Sequence, residues 1–154
     1  PIGSFYKQRD YTKVVDGKNP IVDHRFLGPS DMSGKYTVII DDMIASGGSI
    51  LDTAMSLKKL GVEKIYLMVT FALFTSGVEK FDEYYEKGII DRVYASNVCY
   101  VPEEYQKREW FKLVDCSHKL ATLISELNYG HSVGELINCK EDVAIKIKKL
   151  RRMK

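Results

Sequence analysis

The sequence is poor in the features that mark several protein classes. Its three cysteines, Cys99, Cys116 and Cys139, form no CxxC pair and have no histidine at metal-ligand spacing. Such an odd, unpatterned set is typical of a reducing compartment and argues against a disulfide scaffold or a zinc site. No run approaches the ~18 apolar residues that a membrane-spanning helix needs, and no signal peptide is evident. We therefore expect a cytoplasmic protein without a membrane partner.

Neither sign of charge is in large excess. The 23 Lys and Arg stand against 21 Asp and Glu, for a formal net charge of +2, which predicts no nucleic-acid partner. The basic end KIKKLRRMK is typical of a solvated helix end or tail, with a phosphate-binding or membrane-surface patch as the alternative. The three histidines, His24, His118 and His131, have no partner at ligand spacing and fit surface or hydrogen-bonded positions.

What the chain does have is the material for one globular domain. It contains 154 residues, of which 45% are hydrophobic and 29% are charged, enough to bury a core. It begins PIGSFYKQRDY, without a methionine, and we expect it to be a piece of something longer. Residues 1–35 are polar and punctuated by Gly and Pro, which predicts an irregular, mobile segment with a short strand at Phe5–Lys7.

From Thr37 onward, apolar runs alternate with helical patterns. Such alternation predicts βαβ units and an α/β fold with a three-layer parallel sheet, and TVII has the β-branched composition of a buried strand. The predicted strands are TVII (37–40), KIYLMVT (64–70), DRVYASNV (91–98) and FKLVD (111–115). The predicted helices lie within 49–62, with a stop at Gly61, within 77–88, closed by Gly88, and at Ser117–Asn128 and Val133–Leu136.

One stretch carries a chemical signal: YTVIIDDMIASGGSILDTA, residues 36–54. Asp41 and Asp42 fall at the predicted carboxyl end of a strand, where open α/β sheets bind ligands. The small residues that follow can form a nest of backbone N–H groups at a helix N-terminus, which suits a phosphate dianion; they are Ser46, Gly47, Gly48 and Ser49. Carboxylates repel phosphate but accept hydrogen bonds from a sugar diol or hold Mg²⁺. The pattern predicts a ribose phosphate site.

A plainer interpretation is an ordinary strand, a glycine turn and two solvated aspartates. Gly-Gly alone would favour it, and the loop has neither the Gly-Lys-Ser/Thr of a Walker A motif nor GxGxxG. The full combination of strand, Asp-Asp, three spacers and Ser-Gly-Gly-Ser is a more specific pattern than Gly-Gly alone. It favours the functional interpretation. The predicted helix cap is Ser49 with Asp52, a variant of the capping box.

The stretch VIIDDMIASGGSI resembles the ribose-phosphate-binding signature of the type I phosphoribosyltransferase fold. Three further stretches resemble the ribose-phosphate pyrophosphokinases (PRPP synthetases) of that fold. FYKQRDY is similar to their Lys-x-Arg catalytic loop, MVTFALFTSGVEKF to their Thr-His-x-x-Phe-Ser-Gly segment, and SHKLATLISELNYGHSVGELI to their C-terminus. The resemblance covers nearly the whole chain and corresponds to the C-terminal half of a synthetase, with the N-terminal half absent.

The chain departs from the family pattern at three places. Ala45 stands where an acidic residue or Thr is common, and Phe71 stands where the family has His. The segment Lys13–Phe26 is longer than the usual loop. These departures indicate a divergent subfamily.

The resemblance implies transfer of a diphosphoryl group from ATP to O1 of ribose 5-phosphate, with Mg²⁺ as cofactor and a homo-oligomeric assembly. Lys7 and Arg9 would be the catalytic cations, in a flexible catalytic-loop region at 1–35; two solvated charges at a frayed terminus are the plainer alternative. Asp41 and Asp42 would hold the ribose diol, either one being a possible metal ligand, and residues 46–49 would bind the 5-phosphate. The ribose-phosphate-binding domain would span 36–154.

Two other functions fit the same loop. A phosphoribosyltransferase using PRPP would need a hood over its base, for which residues 1–35 are the only spare segment. A non-catalytic regulatory subunit associated with a synthetase would keep the fold for assembly. The retained Lys7, Arg9, Asp41 and Asp42 argue against a regulatory subunit, whereas Ala45 and Phe71 leave room for it.

Overall fold

The protein is described here by a computed structural model that covers residues 2–9, 12, 14 and 21–152. The chain divides into two compact units, Pro1–Val114 and Asp115–Lys154. The sequence predicted another division, between a catalytic-loop region at 1–35 and a ribose-phosphate-binding domain at 36–154. That division concerns function, and it stays a prediction.

The first unit begins with an antiparallel strand pair. Strand β1 (Ser4–Arg9) pairs with strand β2 (Ile21–Leu27), and the rings of Phe5 and Phe26 lie 5.0 Å apart. Both rings pack against the main core of the unit. The short strand predicted at Phe5–Lys7 is confirmed within β1, whereas β2 was not predicted.

A four-stranded parallel sheet forms the rest of the first unit. Its strands lie side by side in chain order, β3-β4-β5-β6, and the connections contain three helices. The predicted α/β class with a parallel sheet is confirmed. The strands are β3 (Tyr36–Ile44), β4 (Lys64–Ala72), β5 (Arg92–Ser96) and β6 (Phe111–Val114), and the helices are α1 (Gly48–Lys59), α2 (Glu79–Glu86) and α3 (Glu103–Gln106).

The strand order explains where the core lies. Crossovers between parallel strands are right-handed, so connections that always step in the same direction place their helices on the same face. The buried side of α1 and Phe81 of α2 accordingly share one apolar cluster with alternate residues of the strands. The strand residues of this cluster include Ile65, Leu67, Val69, Val93, Ala95 and Phe111.

The opposite face of the sheet is open in β3. Val38 and Ile40 are 46% and 79% exposed, and the parallel register places them beside Tyr66 and Met68 of β4. The prediction that TVII is a buried strand is therefore wrong for this face. A run of apolar β-branched residues specifies a strand, but which of its faces is covered depends on strand order.

The second unit is helical. It contains α4 (Ser117–Asn128), α5 (Gly134–Ile137) and α6 (Lys140–Arg152), and the bounds predicted for α4 are confirmed. Residues 146–152 of the basic end form the second half of α6. None of the residues described between 115 and 152 is buried. Across the described parts of both units, no helix has the length and apolar character needed to cross a membrane.

Candidate functional site

Asp41 and Asp42 lie in the last part of β3. The strand continues to Ile44, so the two carboxylates are inside the strand and not beyond its end as the sequence suggested. Both side chains are exposed, and alternation along a strand directs them to opposite faces of the sheet. The backbone N–H of Asp42 donates to Asp41 Oδ1 at 2.9 Å, and the N–H of Met43 donates to Asp42 Oδ1 at 2.7 Å. These bonds hold the carboxylates close to the strand backbone.

The loop after β3 turns directly into helix α1. Gly47 occupies the N-cap position with φ 83° and ψ −14°, a left-handed conformation that glycine adopts without steric penalty. The first helical hydrogen bond runs from Leu51 N–H to Gly47 O at 3.1 Å. The predicted cap of Ser49 with Asp52 is wrong, because both residues lie inside the helix and Gly47 caps it instead. The backbone N–H groups of the first turn therefore precede the helical ladder and open towards the loop.

A cavity of about 120 Å³ lies between the end of β3 and the start of α1. It brings together four of the predicted site residues, Asp41, Ser46, Gly47 and Ser49. Its remaining lining residues are Met43, Ile44, Ala45 and Ile50. Asp42 and Gly48 are not in the lining. Among the described residues of the lining none is Lys or Arg, so the donors that this part of the cavity offers to an anion are backbone N–H groups and serine hydroxyls.

The loop after β4 is fastened to the loop after β3. Leu73 N–H donates to Ile44 O at 2.9 Å, and Thr75 N–H donates to Ala45 O at 2.9 Å. Phe74, between these donors, has φ 46° and is buried, an unusual backbone conformation for a residue with a large side chain. The two neighbouring loops thus form one connected edge of the site.

The ring of Phe81 lies directly beneath this edge. A Cβ atom placed on Gly47 would come within 2.5 Å of Phe81 Cε2, closer than any real Cβ contact. Phe81 is buried on the inner side of α2, and the sequence carried no sign of its contact with the loop. The two residues are 34 positions apart in the sequence, and no local pattern records a contact over that separation.

The structure leaves the predicted catalytic cations untested. The backbones of Lys7 and Arg9 lie in β1, where Lys7 is opposite His24 and the register shifts between Gln8 and Arg9. Their side chains lie outside the part of the chain that is described. Their role stays a prediction.

The carboxylates near the cavity could supply only part of the coordination shell of Mg²⁺. Within the described residues, no group of three or more His, Cys, Asp or Glu side chains could hold a metal ion. The two carboxylates at the end of β3 are the oxygen donors near the cavity. Mg²⁺ commonly takes one or two carboxylates and completes its shell with water and substrate phosphates. Asp41 and Asp42 fit that role together with a phosphorylated substrate, but not as a complete metal cage.

Comparison with known proteins places the chain in a family. The family described as "Phosphoribosyl synthetase-associated domain" matches residues 15–138. The chain belongs to this family. Its members are homologous to the C-terminal part of ribose-phosphate pyrophosphokinases, so the resemblance noted in the sequence is confirmed.

Relatives of the phosphoribosyl synthetase-associated domain carry two kinds of name. The ribose-phosphate pyrophosphokinase of Mycoplasmopsis pulmonis is 30% identical over 145 residues, covering 87% of this chain and 44% of its own length. That of Fusobacterium nucleatum is 25% identical over 147 residues, covering 89% of this chain and 45% of its own length. Human phosphoribosyl pyrophosphate synthase-associated protein 2 is 33% identical over 108 residues, covering 69% and 28%.

A solved structure confirms the fold. The phosphoribosylpyrophosphate synthetase of Mycobacterium smegmatis superimposes with a TM-score of 0.60 at 20% identity, over 70% of this chain and 34% of that chain. At this identity the similarity concerns the fold alone. The chain spans less than half the length of each of these relatives, so a whole synthetase contains considerably more polypeptide than is present here.

Proposed function

We propose that this chain carries the ribose 5-phosphate site of a ribose-phosphate diphosphokinase. The single observation that supports it most is the cavity beside Gly47, which combines a carboxylate with a serine-rich helix N-terminus. These two chemistries, side by side, are what a sugar phosphate requires. The family membership favours ribose 5-phosphate as the sugar phosphate, because the chain is related to ribose-phosphate pyrophosphokinases.

The 5-phosphate is proposed to occupy the loop formed by residues 46–49. Backbone N–H groups at the start of α1 and the hydroxyls of Ser46 and Ser49 are its donors, and the positive end of the helix dipole favours the dianion. Because the described residues of the lining include no Lys or Arg, the affinity is proposed to depend on the loop backbone. Its conformation is then the main determinant of binding.

Asp41 and Asp42 are proposed to accept hydrogen bonds from the ribose hydroxyls. Asp41 lines the cavity, and Asp42, on the other face of β3, would reach the sugar from the open side. Mg²⁺, when bound with the substrates, supplies positive charge that stabilises the phosphate oxygens during transfer. One or both of these carboxylates would contribute to holding it.

The reaction proposed is attack of O1 of ribose 5-phosphate on the β-phosphorus of ATP. A bond forms between O1 and the β-phosphorus, the bond from the β-phosphorus to the oxygen bridging it to the α-phosphorus breaks, AMP leaves, and the hydroxyl proton is lost. Lys7 and Arg9 are the proposed cations that stabilise charge on the phosphoryl oxygens and on the leaving group. Their i, i+2 spacing on a strand allows both to point to one side.

We propose further that this chain is a half-site that works within a larger assembly. Relatives named as synthetases are more than twice as long as the matched region. The ATP site would be completed by polypeptide outside this chain or by a neighbouring subunit in a homo-oligomer. Ribose 5-phosphate binding by this chain alone, with little ATP binding, is the expected property.

A second candidate is a non-catalytic, synthetase-associated subunit. The human synthase-associated protein 2 matches at 33% identity, as high as the synthetases themselves. Ala45, in the cavity lining, removes a polar side chain that the family commonly carries there. Such a subunit would retain the fold without turnover.

Calorimetric titration separates these functions. The chain is titrated with ribose 5-phosphate and then with ATP and Mg²⁺, and the variant Asp52→Asn, which changes an exposed carboxylate on α1 away from the cavity lining, serves as the matched control. Binding of the sugar phosphate to the chain and to Asp52→Asn, with weaker binding to Asp41→Asn, supports the proposed site. A folded chain that does not bind it favours the associated subunit, and turnover of a free base with PRPP would identify a phosphoribosyltransferase.

A further inference from the structure

The phosphate loop has an aromatic support that no part of the proposed function uses. The ring of Phe81, which is 1% exposed, fills the space where a side chain on Gly47 would stand. We propose that Phe81 is a positioning residue: its ring sets the backbone conformation of the loop at residues 46–49. The inference rests on the proposed ribose-phosphate site and adds the group that keeps this site in shape.

The Phe81 ring is itself firmly held. It stacks on Trp110 with ring centroids 5.5 Å apart and an interplanar angle of 24°. Trp110 is fixed in turn, because its indole N–H donates to Asp82 Oδ1 at 2.7 Å. Arg108 lies 3.4 Å from the other oxygen of Asp82. A hydrogen bond and an ion pair from a neighbouring segment thus restrict the motion of the stacked rings.

Phe74 connects the same rings to the second loop of the site. Its ring meets Phe81 edge-on, with centroids 5.2 Å apart and an interplanar angle of 82°. The next residue, Thr75, donates its N–H to Ala45 O, immediately before the phosphate loop. The backbone of both loops at this edge is therefore held by the packed rings of Phe74 and Phe81. Loss of either ring would make the loop backbone more flexible.

This arrangement matters because the cavity depends on backbone donors. A loop that is held in its binding conformation before the ligand arrives loses less conformational entropy on binding. A flexible loop with the same sequence would offer the same N–H groups at lower affinity. The contact also makes Trp110, the only tryptophan in the sequence, a reporter of the loop, since it stacks on the ring beneath Gly47.

The test compares Phe81→Leu with Ile65→Val in the full chain. Ile65 is fully buried at the start of β4, at the opposite end of the strand from the site, so its variant controls for a loosened core. We expect Phe81→Leu to weaken binding of ribose 5-phosphate by about tenfold or more and that of inorganic phosphate in parallel, with no change for Ile65→Val. Adding ribose 5-phosphate should also change the fluorescence of Trp110 in the wild type and less in Phe81→Leu.

A ligand-free measurement accompanies the titrations. Gly47 Hα protons close to the face or edge of an aromatic ring should show a ring-current shift in the NMR spectrum of the wild type, and its absence would overturn the contact without any variant. If the wild type binds the sugar phosphate and Phe81→Leu binds it equally well, the positioning role is wrong and the site stands. If the wild type binds neither ribose 5-phosphate nor phosphate, the proposed function and this inference both fail.

Discussion

At the scale of single residues, Gly47 shows how closely backbone conformation and site are linked. Its φ of 83° needs the left-handed region, and its Cα has no room for a side chain above Phe81. The sequence singled out the serine–glycine loop from the chemistry of phosphate binding, and that role stays a prediction. It could not show the ring beneath the loop, because the contact between Phe81 and Gly47 is formed only in the folded chain.

Gly47→Ala should therefore be costly in two ways. The left-handed conformation alone costs about 1–2 kcal/mol for a residue with a Cβ, and the clash with Phe81 adds ~1–3 kcal/mol. Gly88→Ala is the matched control, since Gly88 also has a positive φ of 64° but a Cβ there would meet none of the described atoms within 4 Å. Urea denaturation should show the larger loss of stability for Gly47→Ala. Equal losses would mean that the Phe81 contact carries no energy.

Asp41→Asn should weaken ribose 5-phosphate binding more than Asp42→Asn. Asp41 lines the cavity, whereas Asp42 faces the other side of the strand. Hydrogen bonds to charged groups contribute ~1.5–3 kcal/mol, and the amide of Asn can still form a neutral hydrogen bond. We therefore expect Asp41→Asn to lower the affinity for ribose 5-phosphate by about tenfold. Calorimetry on the two variants decides the order, and a larger loss for Asp42→Asn would move the sugar to the open face.

At the scale of elements, local patterns located most strands and helices but not their surroundings. The apolar runs located β4 and β5 well and the helical pattern located α4, because each of these segments has a strong pattern of its own. Strand β2 was missed, since IVDHRFL mixes charges among its apolar residues and it is formed by pairing with β1. The four-residue helix α3 is too short for its period to be read.

Helix α2 offers a pH-dependent prediction. Glu83 and Lys87 form an i, i+4 ion pair, and the hydrogen bond from Lys87 lowers the pKa of Glu83 below its ordinary value, with Lys80 a smaller influence. A lowered carboxyl pKa means that the pair stabilises the fold above the ordinary pKa and that this contribution is lost as the pH falls through the lowered one.

Lys87→Gln should raise the pKa of Glu83 towards its ordinary value. NMR titration of the Glu83 side-chain carboxyl carbon measures this directly. Lys80→Gln is the control, because Lys80 influences Glu83 only through the weaker charge interaction. Equal shifts in the two variants would show that the hydrogen bond from Lys87 is not the main cause.

At the scale of the whole molecule, the two units differ in what holds them together. The first has a core built around fully buried residues such as Leu67 and Val93. In the second, none of the described residues is buried, and apolar side chains of α4, including Ile124 and Leu127, are more than half exposed. The sequence predicted α4 from its period, but a helical period does not reveal whether its apolar side is covered.

Hydrogen exchange should separate the two units in the intact chain. The amide hydrogen bonds of β4 and β5 break only when the core unfolds. Those of α4 are local helical hydrogen bonds, which can break while the core stays folded. We expect α4 to exchange about a hundredfold faster or more, since local opening spans from near zero up to the global free energy. Mass spectrometry of peptides covering 64–72 and 117–128 measures both. Equal protection would show that α4 is buried in solution.

The side-by-side order of β3, β4, β5 and β6 also has a consequence for synthesis on the ribosome. From β4 onward, each strand pairs with the one made just before it, so only β3 waits for a partner that is still inside the ribosome. The sheet can grow at one edge as the chain emerges, each added strand bringing its own helix to the same face. Domains that fold during translation benefit from this ordering, because less apolar surface is exposed to aggregation while the chain is incomplete.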